Sequence, residues 1–556
     1  MCYNTHMRDS VAQLVDETFD VLVIGAGIHG AAAAWTASRL RLRTALIDQG
    51  DFGGATSANS LKVIHGGLRY LQHGNFPRMR ESILARRSFL ALAPHLVRPQ
   101  PFLLPTTGRG LRGRAALRVA LTLNDLVAFD RNWGLEEGHR LPRGRLLSGA
   151  DARALLPGLK GEDVTGAALW YDALAENTER LTLSLVLSAE AAGAAVANHV
   201  RARHLLVEGG AVRGVEVEDV LGGGTFTVRA RAVINAAGPW LEQPWSGLRP
   251  RFPLVGAWNV VVGKPLFGAY GVGLESLQEH RDHDALVQRG KRNLFFVPWR
   301  GGTMVGTVYE PFAGDPADYR PRRATVQAFL DEINHVYPPA ALGMDDVRFV
   351  HVGTQPAPAA GGAASVEPDK HSEVVAHNGQ NGPRGLLSIK GVKFTTGLGV
   401  GRWAARLAAR GLGRMDAPPD ETSLYGGEHV VAAGHVAAWA AARRLSISEA
   451  CAGRLAAQYG TRAEFVLDMA CTDQAATVPG APDALLAEVR HALQFEHAAR
   501  LGDVLLRRTE WGSAGRPAAE TVRAVRDLMA RELGWSAEQA AREEQALDRE
   551  YDRIAP

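Results

Sequence analysis

The chain has 556 residues, 46% of them hydrophobic and 22% charged, a soluble globular mix long enough for several domains. Its 62 basic and 59 acidic residues leave a net charge of +3, too small an excess to argue for a nucleic-acid partner. Cys2, Cys451 and Cys471 are too few and too scattered for a disulfide framework, no apolar run reaches the roughly 18 residues of a membrane span, and the N-terminus lacks a signal-peptide core. The expected setting is the cytoplasm, with contact to the inner face of a membrane left open.

Residues 20–50 predict strand, tight turn, helix and strand: DVLVIG, a helix through Ala31–Leu40, then TALID. The turn reads Gly25-Ala26-Gly27-Ile28-His29-Gly30, a GxGxxG motif, and Asp48 ends the next strand 18 residues after Gly30. Each part has a task in holding a dinucleotide. Gly25 allows the sharp turn, Gly27 lets a pyrophosphate approach the backbone, and Gly30 permits close helix–strand contact. The helix N-terminus, with Ile28 and His29 in its first turn, faces the phosphate charge, and Asp48 would accept hydrogen bonds from the adenosine ribose.

Residues 54–70 follow as GATSANSLKVIHGGLRY. Thr56, Ser57 and Ser60 offer hydroxyl donors to a diphosphate and a ribityl chain, Lys62 adds positive charge, and Gly66-Gly67 lets backbone come close to a flat ring. Residues 78–92 have helical apolar spacing. Beyond 108, Arg109, Arg112, Arg114 and Arg118 precede an apolar helix, which is either a solvated rim over a core helix or a face lying on an anionic membrane. A meander of short strands spans 193–238 and ends in INAAGPW. Residues 250–312 are strand-rich, and a Pro/Gly/Ala-rich stretch interrupts at 355–370. The tract Glu279-His280-Arg281-Asp282-His283 lacks partner ligands at a convincing spacing, so a solvated loop is expected and no metal. GLLSIKGVKFTTGLGVG then predicts strand and helix, and after about 420 the pattern is helical, with Gly534 ending one helix and Ser536 opening a capping box with Gln539.

The glycine turn near the N-terminus has two later companions, at Asn235–Gly238 (which includes Ala237) and Lys390–Thr396. A cofactor domain assembled from three distant segments suits a long, extended FAD. The fold expected is α/β: a Rossmann-like FAD-binding domain at 15–110, 165–245 and 385–415, a mixed-sheet substrate domain at 111–164 and 246–384, and an all-helical C-terminal domain at 420–556.

The run Ala55-Thr56-Ser57 with Lys62-Val63-Ile64-His65-Gly66-Gly67-Leu68-Arg69-Tyr70 resembles the FAD-dependent glycerol-3-phosphate dehydrogenase family, of the aerobic, quinone-linked type. LAPHLVRPQPFLLP, INAAGPW, FFVPW with Gly306-Thr307, GVKFTT and LGDVLLRRTEWG are similar to that family in order along the chain. The resemblance implies oxidation of a secondary alcohol, phosphorylated in the family, by hydride transfer to flavin, with quinone or oxygen as acceptor. It implies that Arg69 contacts the substrate, where a guanidinium can grip an anion bidentately. Tyr70 is expected either to donate a hydrogen bond beside it or to be an aromatic core residue, and His65 either to act in proton transfer or at the flavin edge or to be structural. Lys393 matches the family's lysine near the flavin pyrimidine or the substrate, with Phe394 and Thr395 against the cofactor.

The match breaks on the substrate side. The family's Arg-Pro is Gln355-Pro356 here, and a second family arginine has no counterpart except Lys370 or His371. Gly-Ser-His, a base site in the family, is Gly256-Ala257-Trp258-Asn259, and Gly-Thr-Thr-Asp is Gly306-Thr307-Val308-Tyr309. Two alternatives therefore stand beside glycerol-3-phosphate oxidation. One is a same-fold flavin dehydrogenase or oxidase for another hydroxyl or amine substrate, and the other a non-catalytic flavoprotein that serves as an interaction module.

Overall fold

The computed structural model describes residues 3–108, 113–159, 164–248, 252–281, 289–358, 367–379, 381–414, 422–472 and 475–556; Cys2, Arg109, Arg112, Asp282 and His283 lie outside them. After helix α1 (Tyr3–Asp16), the run Val21–Ile24 is buried on both faces, as suits the middle of a parallel sheet, and completes β1 (Thr18–Ile24). Then come α2 (Ile28–Arg39), β2 (Thr44–Ile47), β3 (Val63–Ile64), α3 (Phe76–Leu92), β4 (Val97–Thr107), α4 (Arg114–Val127), β5 (Arg145–Ser148) and α5 (Gly149–Leu155). The chain continues through β6 (Val164–Ala175), α6 (Thr178–Ala191), β7 (Ala195–Ala197), β8 (Val200–Glu208), β9 (Ala211–Asp219) and β10 (Thr225–Asn235). Next are β11 (Leu254–Val262), β12 (Gly271–Arg281), β13 (Arg289–Trp299), β14 (Gly302–Phe312), α7 (Arg323–Val336), β15 (Val347–Pro356), β16 (Glu373–Ala376), β17 (Leu386–Lys390) and α8 (Gly397–Gly411).

In the first sheet β17, β10, β1, β2 and β7 run parallel in that order, with Val233 opposite Leu386 and Leu22 flanked by Val233 and Ala45. β16 adds an antiparallel edge, and the meander β8–β9 joins β10. Helices α2, α6 and α8 cover one face, where Ala31–Ala34 are wholly buried and leave room for close helix contact; Leu14, Val215 and Val217 fill the other.

The second sheet has the order β15-β11-β14-β13-β12-β4-β6-β3, with β5 on β6, and α7 packs on it through Val326, Phe329 and Leu330. Here the structure departs from the bounds read off the sequence. β4 and β6 pair with each other and with this second sheet, although 97–107 and 165–175 fall within the bounds that the sequence predicts for the cofactor unit. β16, assigned to the substrate unit, belongs to the first sheet. Apolar runs such as that of β6 read alike in either kind of sheet, so periodicity does not assign them. Residues 279–281 are likewise strand, in β12, rather than loop.

The C-terminal part holds α9 (Ala433–Ala442), α10 (Glu449–Tyr459), α11 (Ala463–Ala470), α12 (Leu486–Phe495), α13 (Ala519–Leu533) and α14 (Ala537–Tyr551), with a two-stranded ribbon of β18 (Thr477–Val478) and β19 (Ala481–Leu485) and a π-helical turn at Asp503–Arg508. Gly534 ends α13 with φ 70°, and Ser536 Oγ accepts the Gln539 N–H at 3.1 Å. Only half the expected capping box forms, because Gln539 Oε1 accepts from Arg542 at 2.7 Å instead, while its Nε2 donates to Glu543 at 3.1 Å.

The loop after β2 is tied to α6 by a buried ion pair. Lys62, wholly buried, donates to Glu179 Oε1 and Oε2 at 2.9 Å, to Thr178 Oγ1 at 2.9 Å and to the Ala58 carbonyl at 2.6 Å. Lys62→Met is expected to strand the Glu179 carboxylate and lower stability by about 3–5 kcal/mol. A smaller loss is expected for Lys62→Met with Glu179→Leu, both read from denaturant midpoints. Equal losses in the single and double variants would show that the pair itself is not what matters.

Candidate functional site

The glycine turn is shaped by backbone contact. Gly25 has φ +95°, and a Cβ there would stand 2.6 Å from the Ala236 carbonyl oxygen at the end of β10; a Cβ on Gly30 would stand 1.8 Å from the Gly25 oxygen. No side chain fits at either position, so turn, helix and neighbouring strand close on one another. Gly27 precedes α2 in extended backbone and supplies no side-chain cap; Ser57 Oγ accepts the Ile28 N–H at 3.0 Å, keeping its own proton for an anion. Asp48 braces the turn, accepting the Ala26 N–H at 2.7 Å and the Gly50 N–H at 2.9 Å. A carboxylate offers about four acceptor sites, so capacity remains for a ribose. Burial pushes the Asp48 carboxyl up against these two N–H groups.

His29 sits in the first turn of α2 with Nε2 buried and unpartnered, and burial pushes it down to about 4, which keeps it neutral. From β10, Asn235 Oδ1 accepts the Ala237 N–H at 3.2 Å and its Nδ2 donates to the Leu241 carbonyl at 2.8 Å, fixing the turn at Ala237–Gly238, where Gly238 has φ 55°. These groups fit an extended dinucleotide: a left-handed glycine turn, a helix N-terminus without a side-chain cap of its own, an acceptor at the ribose position and an orphaned buried nitrogen.

Several residues expected at the cofactor are engaged elsewhere. Lys62 is committed to Glu179, so its charge is spent in the core. The Thr56 hydroxyl donates to the Thr354 carbonyl at 3.2 Å, and Ser60 Oγ accepts the Lys62 N–H at 3.2 Å. The Phe394 ring stacks on Phe89 at 6.1 Å within the core, and Thr395 is buried.

The residues read as catalytic come together. Tyr70 is buried, and the Lys393 ammonium donates to its hydroxyl while lying 4.8 Å from its ring centroid. Arg69 lies 5.4 Å and Arg78 4.8 Å from the same ring. Arg78 escapes notice in the sequence, where it reads as one more polar residue of α3. Its Nη2 is buried without a partner. Nearby carboxylates serve other arginines, Asp172 binding Arg86 at 2.5 Å and Asp130 binding Arg80 at 2.6 Å and Arg87 at 2.7 Å; among the described residues none pairs with Arg69, Arg78 or Lys393. Burial pulls Lys393 down to about 8. Burial works the other way on Tyr70, yet Arg69 and Lys393 bring its hydroxyl below the usual range. His65, 6.0 Å from Tyr70 ring to ring, is held well below the ordinary imidazole value by burial, then by Arg69 and Lys393, so it is neutral.

Asp172 is a second residue the sequence does not single out. Its Oδ1 accepts the Gly66 N–H at 2.6 Å beside Arg86, and its Oδ2 takes the Trp170 indole N–H at 3.0 Å, which braces the Gly66–Gly67 turn from behind. Gln355 stands at the end of β15, next to the Thr354 carbonyl that Thr56 holds. Trp258, in the segment that replaces the family's base site, is fully buried against Phe329 of α7, with its indole N–H donated to Glu310 at 3.0 Å.

Residues 20–407 match the family of FAD dependent oxidoreductases, and residues 419–540 match the C-terminal domain of alpha-glycerophosphate oxidase. A glycerol-3-phosphate dehydrogenase of Mycobacterium leprae is 31% identical over 95% of this chain and 87% of its own, and one of Synechocystis is 30% identical over 89% of each. The fold is shared with the glycerol-3-phosphate dehydrogenase of Bacillus halodurans complexed with FAD, at a TM-score of 0.75 and 24% identity, covering 99% of this chain and 98% of that one. The sheet that carries the glycine turn, the helical domain behind it and these likenesses agree: the chain belongs to the FAD-dependent oxidoreductases, among the glycerol-3-phosphate dehydrogenases.

Proposed function

We propose that the protein oxidises the secondary alcohol of glycerol 3-phosphate to dihydroxyacetone phosphate and delivers the electrons to a membrane quinone. The observation that carries the substrate is the convergence of Arg69, Arg78 and Lys393 on Tyr70 with no compensating carboxylate among the described residues. A phosphate monoester supplies the missing negative charge and the acceptor oxygens that guanidinium and ammonium groups need. FAD supplies the two-electron acceptor when bound, and Gly25, Gly27, Gly30, Asp48, Ser57, Ala237 and Gly238 are the residues that would hold it. His65 is available as an uncharged proton acceptor. A weak base suffices there, because the hydroxyl becomes strongly acidic as hydride leaves its carbon. Lys393 and the arginines favour negative charge on substrate and reduced cofactor alike.

The acceptor rests on α4 and the turn after it. Val119, Leu123 and Leu126 stand at helical spacing on α4, and Phe129 and Trp133, their rings 5.6 Å apart, extend this apolar row beyond its end; Leu126, Phe129 and Trp133 are 65%, 66% and 65% exposed. An exposed apolar row of this kind suits the interfacial layer of a bilayer. Arg118 is exposed beside it, whereas Arg114, expected to contribute to the same basic surface, donates to the Leu147 and Thr165 carbonyls. Among the described residues no helix is long and apolar enough to cross a membrane, so the contact proposed is peripheral.

Anaerobic addition of glycerol 3-phosphate should bleach the flavin spectrum; an unbleached spectrum at millimolar substrate, with reduction by another alcohol or amine, would move the assignment to that substrate. Arg69→Met should cost about 2–5 kcal/mol of substrate binding, roughly a 30-fold or greater rise in KM, at unchanged flavin content. Lys393 loses its proton as pH rises past about 8, so KM should climb above that pH in the wild type and stay level in Lys393→Arg. Anionic vesicles should carry the protein in flotation, and Leu126→Asp with Phe129→Asp should abolish this while activity with a soluble dye persists.

A further inference from the structure

Among its contacts with the cofactor unit, the C-terminal domain grips one buried carboxylate in the loop after β2. Asp51 lies three residues beyond Asp48, in the loop that braces the glycine turn. Its oxygens accept from Arg508 Nη1 at 2.6 Å and Nη2 at 2.7 Å, from Arg507 Nε at 2.6 Å and from Asn198 Nδ2 at 2.9 Å. Arg508 is itself wholly buried and anchored by its Nε on the Glu496 carbonyl at 2.8 Å. Arg507 also holds Asp503 at 2.9 Å, and Asp503 takes His199 Nε2 at 3.0 Å. Asp51, His199 and Asp503 are close enough to suggest a metal site, but the guanidinium groups occupy both carboxylates. The two arginines come from the π-helical turn at 503–508, whose wider winding brings neighbouring side chains onto one target.

The clasp continues into the cofactor turn. The Gly54 N–H returns to the Asp51 carbonyl at 3.1 Å, the Gly53 N–H donates to the Ala26 carbonyl at 3.0 Å, and Ser57 takes the Ile28 N–H. Ala26 is thus gripped at its carbonyl by Gly53 and at its N–H by Asp48, and both belong to the loop that Asp51 pins down. Behind it, the His199 N–H donates to the Gly50 carbonyl at 2.8 Å, tying the other partner of Asp503 to the same loop.

We propose that Arg507 and Arg508 are positioning residues for FAD: through Asp51 the helical domain holds the glycine turn in its phosphate-binding form, so FAD retention and docking of the C-terminal domain are coupled. This holds whatever the substrate. Coupling of this kind is reciprocal and commonly amounts to roughly 5- to 150-fold.

In the full-length holoprotein, Arg508→Lys keeps the charge but loses the fork, and FAD release, followed by the fluorescence of free FAD after dilution, should quicken about tenfold or more. Asp51→Asn with Arg508→Gln removes both charges, so that no buried ion is left unpaired, and should also release FAD faster. Arg454→Lys is the control: it loosens a pair inside the helical domain, Arg454 with Glu488 at 2.6 Å, and should leave release unchanged. In the unaltered protein, the amides of 503–509 should exchange hydrogen more slowly with FAD bound than after its removal. Wild-type release rates in both Arg508 variants would overturn the proposal. If those variants fail to fold, exchange at 503–509 that ignores FAD would overturn it instead.

Discussion

Everything in the cofactor half is arranged around a place where two backbones touch with no side chain between them. At Gly25 the turn out of β1 meets the carbonyl of Ala236, and at Gly30 the first turn of α2 meets Gly25. This contact points the start of α2 at the space beyond the strand ends, where the positive end of a helix favours an anion. The neighbouring pieces are braces for it. Asp48 and Gly53 hold Ala26 from both sides, Ser57 covers the Ile28 N–H, and Asn235 sets the turn that arrives from β10.

The molecule uses charge in two ways. Buried carboxylates are saturated where the domains meet, Glu496 by Arg180 and Asp51 by two arginines, and within the cofactor unit, Glu179 by Lys62. Buried ions in such number are costly unless their hydrogen bonds are complete, and here they specify which surfaces meet. Around Tyr70 the balance is deliberately incomplete, with three cations and no acid among the described residues. That unsatisfied cluster is what the proposed phosphate ester would complete.

The sequence makes the glycine turn readable because all its parts lie within about thirty residues of strand, turn, helix and strand, and local spacing carries the geometry. HGGLRY is readable for the same reason, and Tyr70, Arg69 and His65 do lie close together. What spacing cannot carry is the identity of distant partners. Lys62 looks like a phosphate ligand until Glu179, 117 positions away, is seen to claim it. Thr56 looks free until its hydroxyl meets Thr354, and Trp258 looks like part of the substrate side until the pleat of β11 turns it toward α7. Arg78 and Asp172 carry no motif at all. Their importance comes from what surrounds them, which only the folded chain defines.

The clasp between Asp51 and Arg508 joins positions 457 apart, and β1 lies between β2, which follows it closely, and β10, some two hundred residues on. Contacts of such span must overcome a large loop-closure entropy before they contribute anything. In a chain made from its N-terminus, the glycine turn and its loop exist well before β10 and before the arginines that bind Asp51. Until β10 pairs, β1 and β2 stand without their main neighbour, and in that interval misassembly competes with folding.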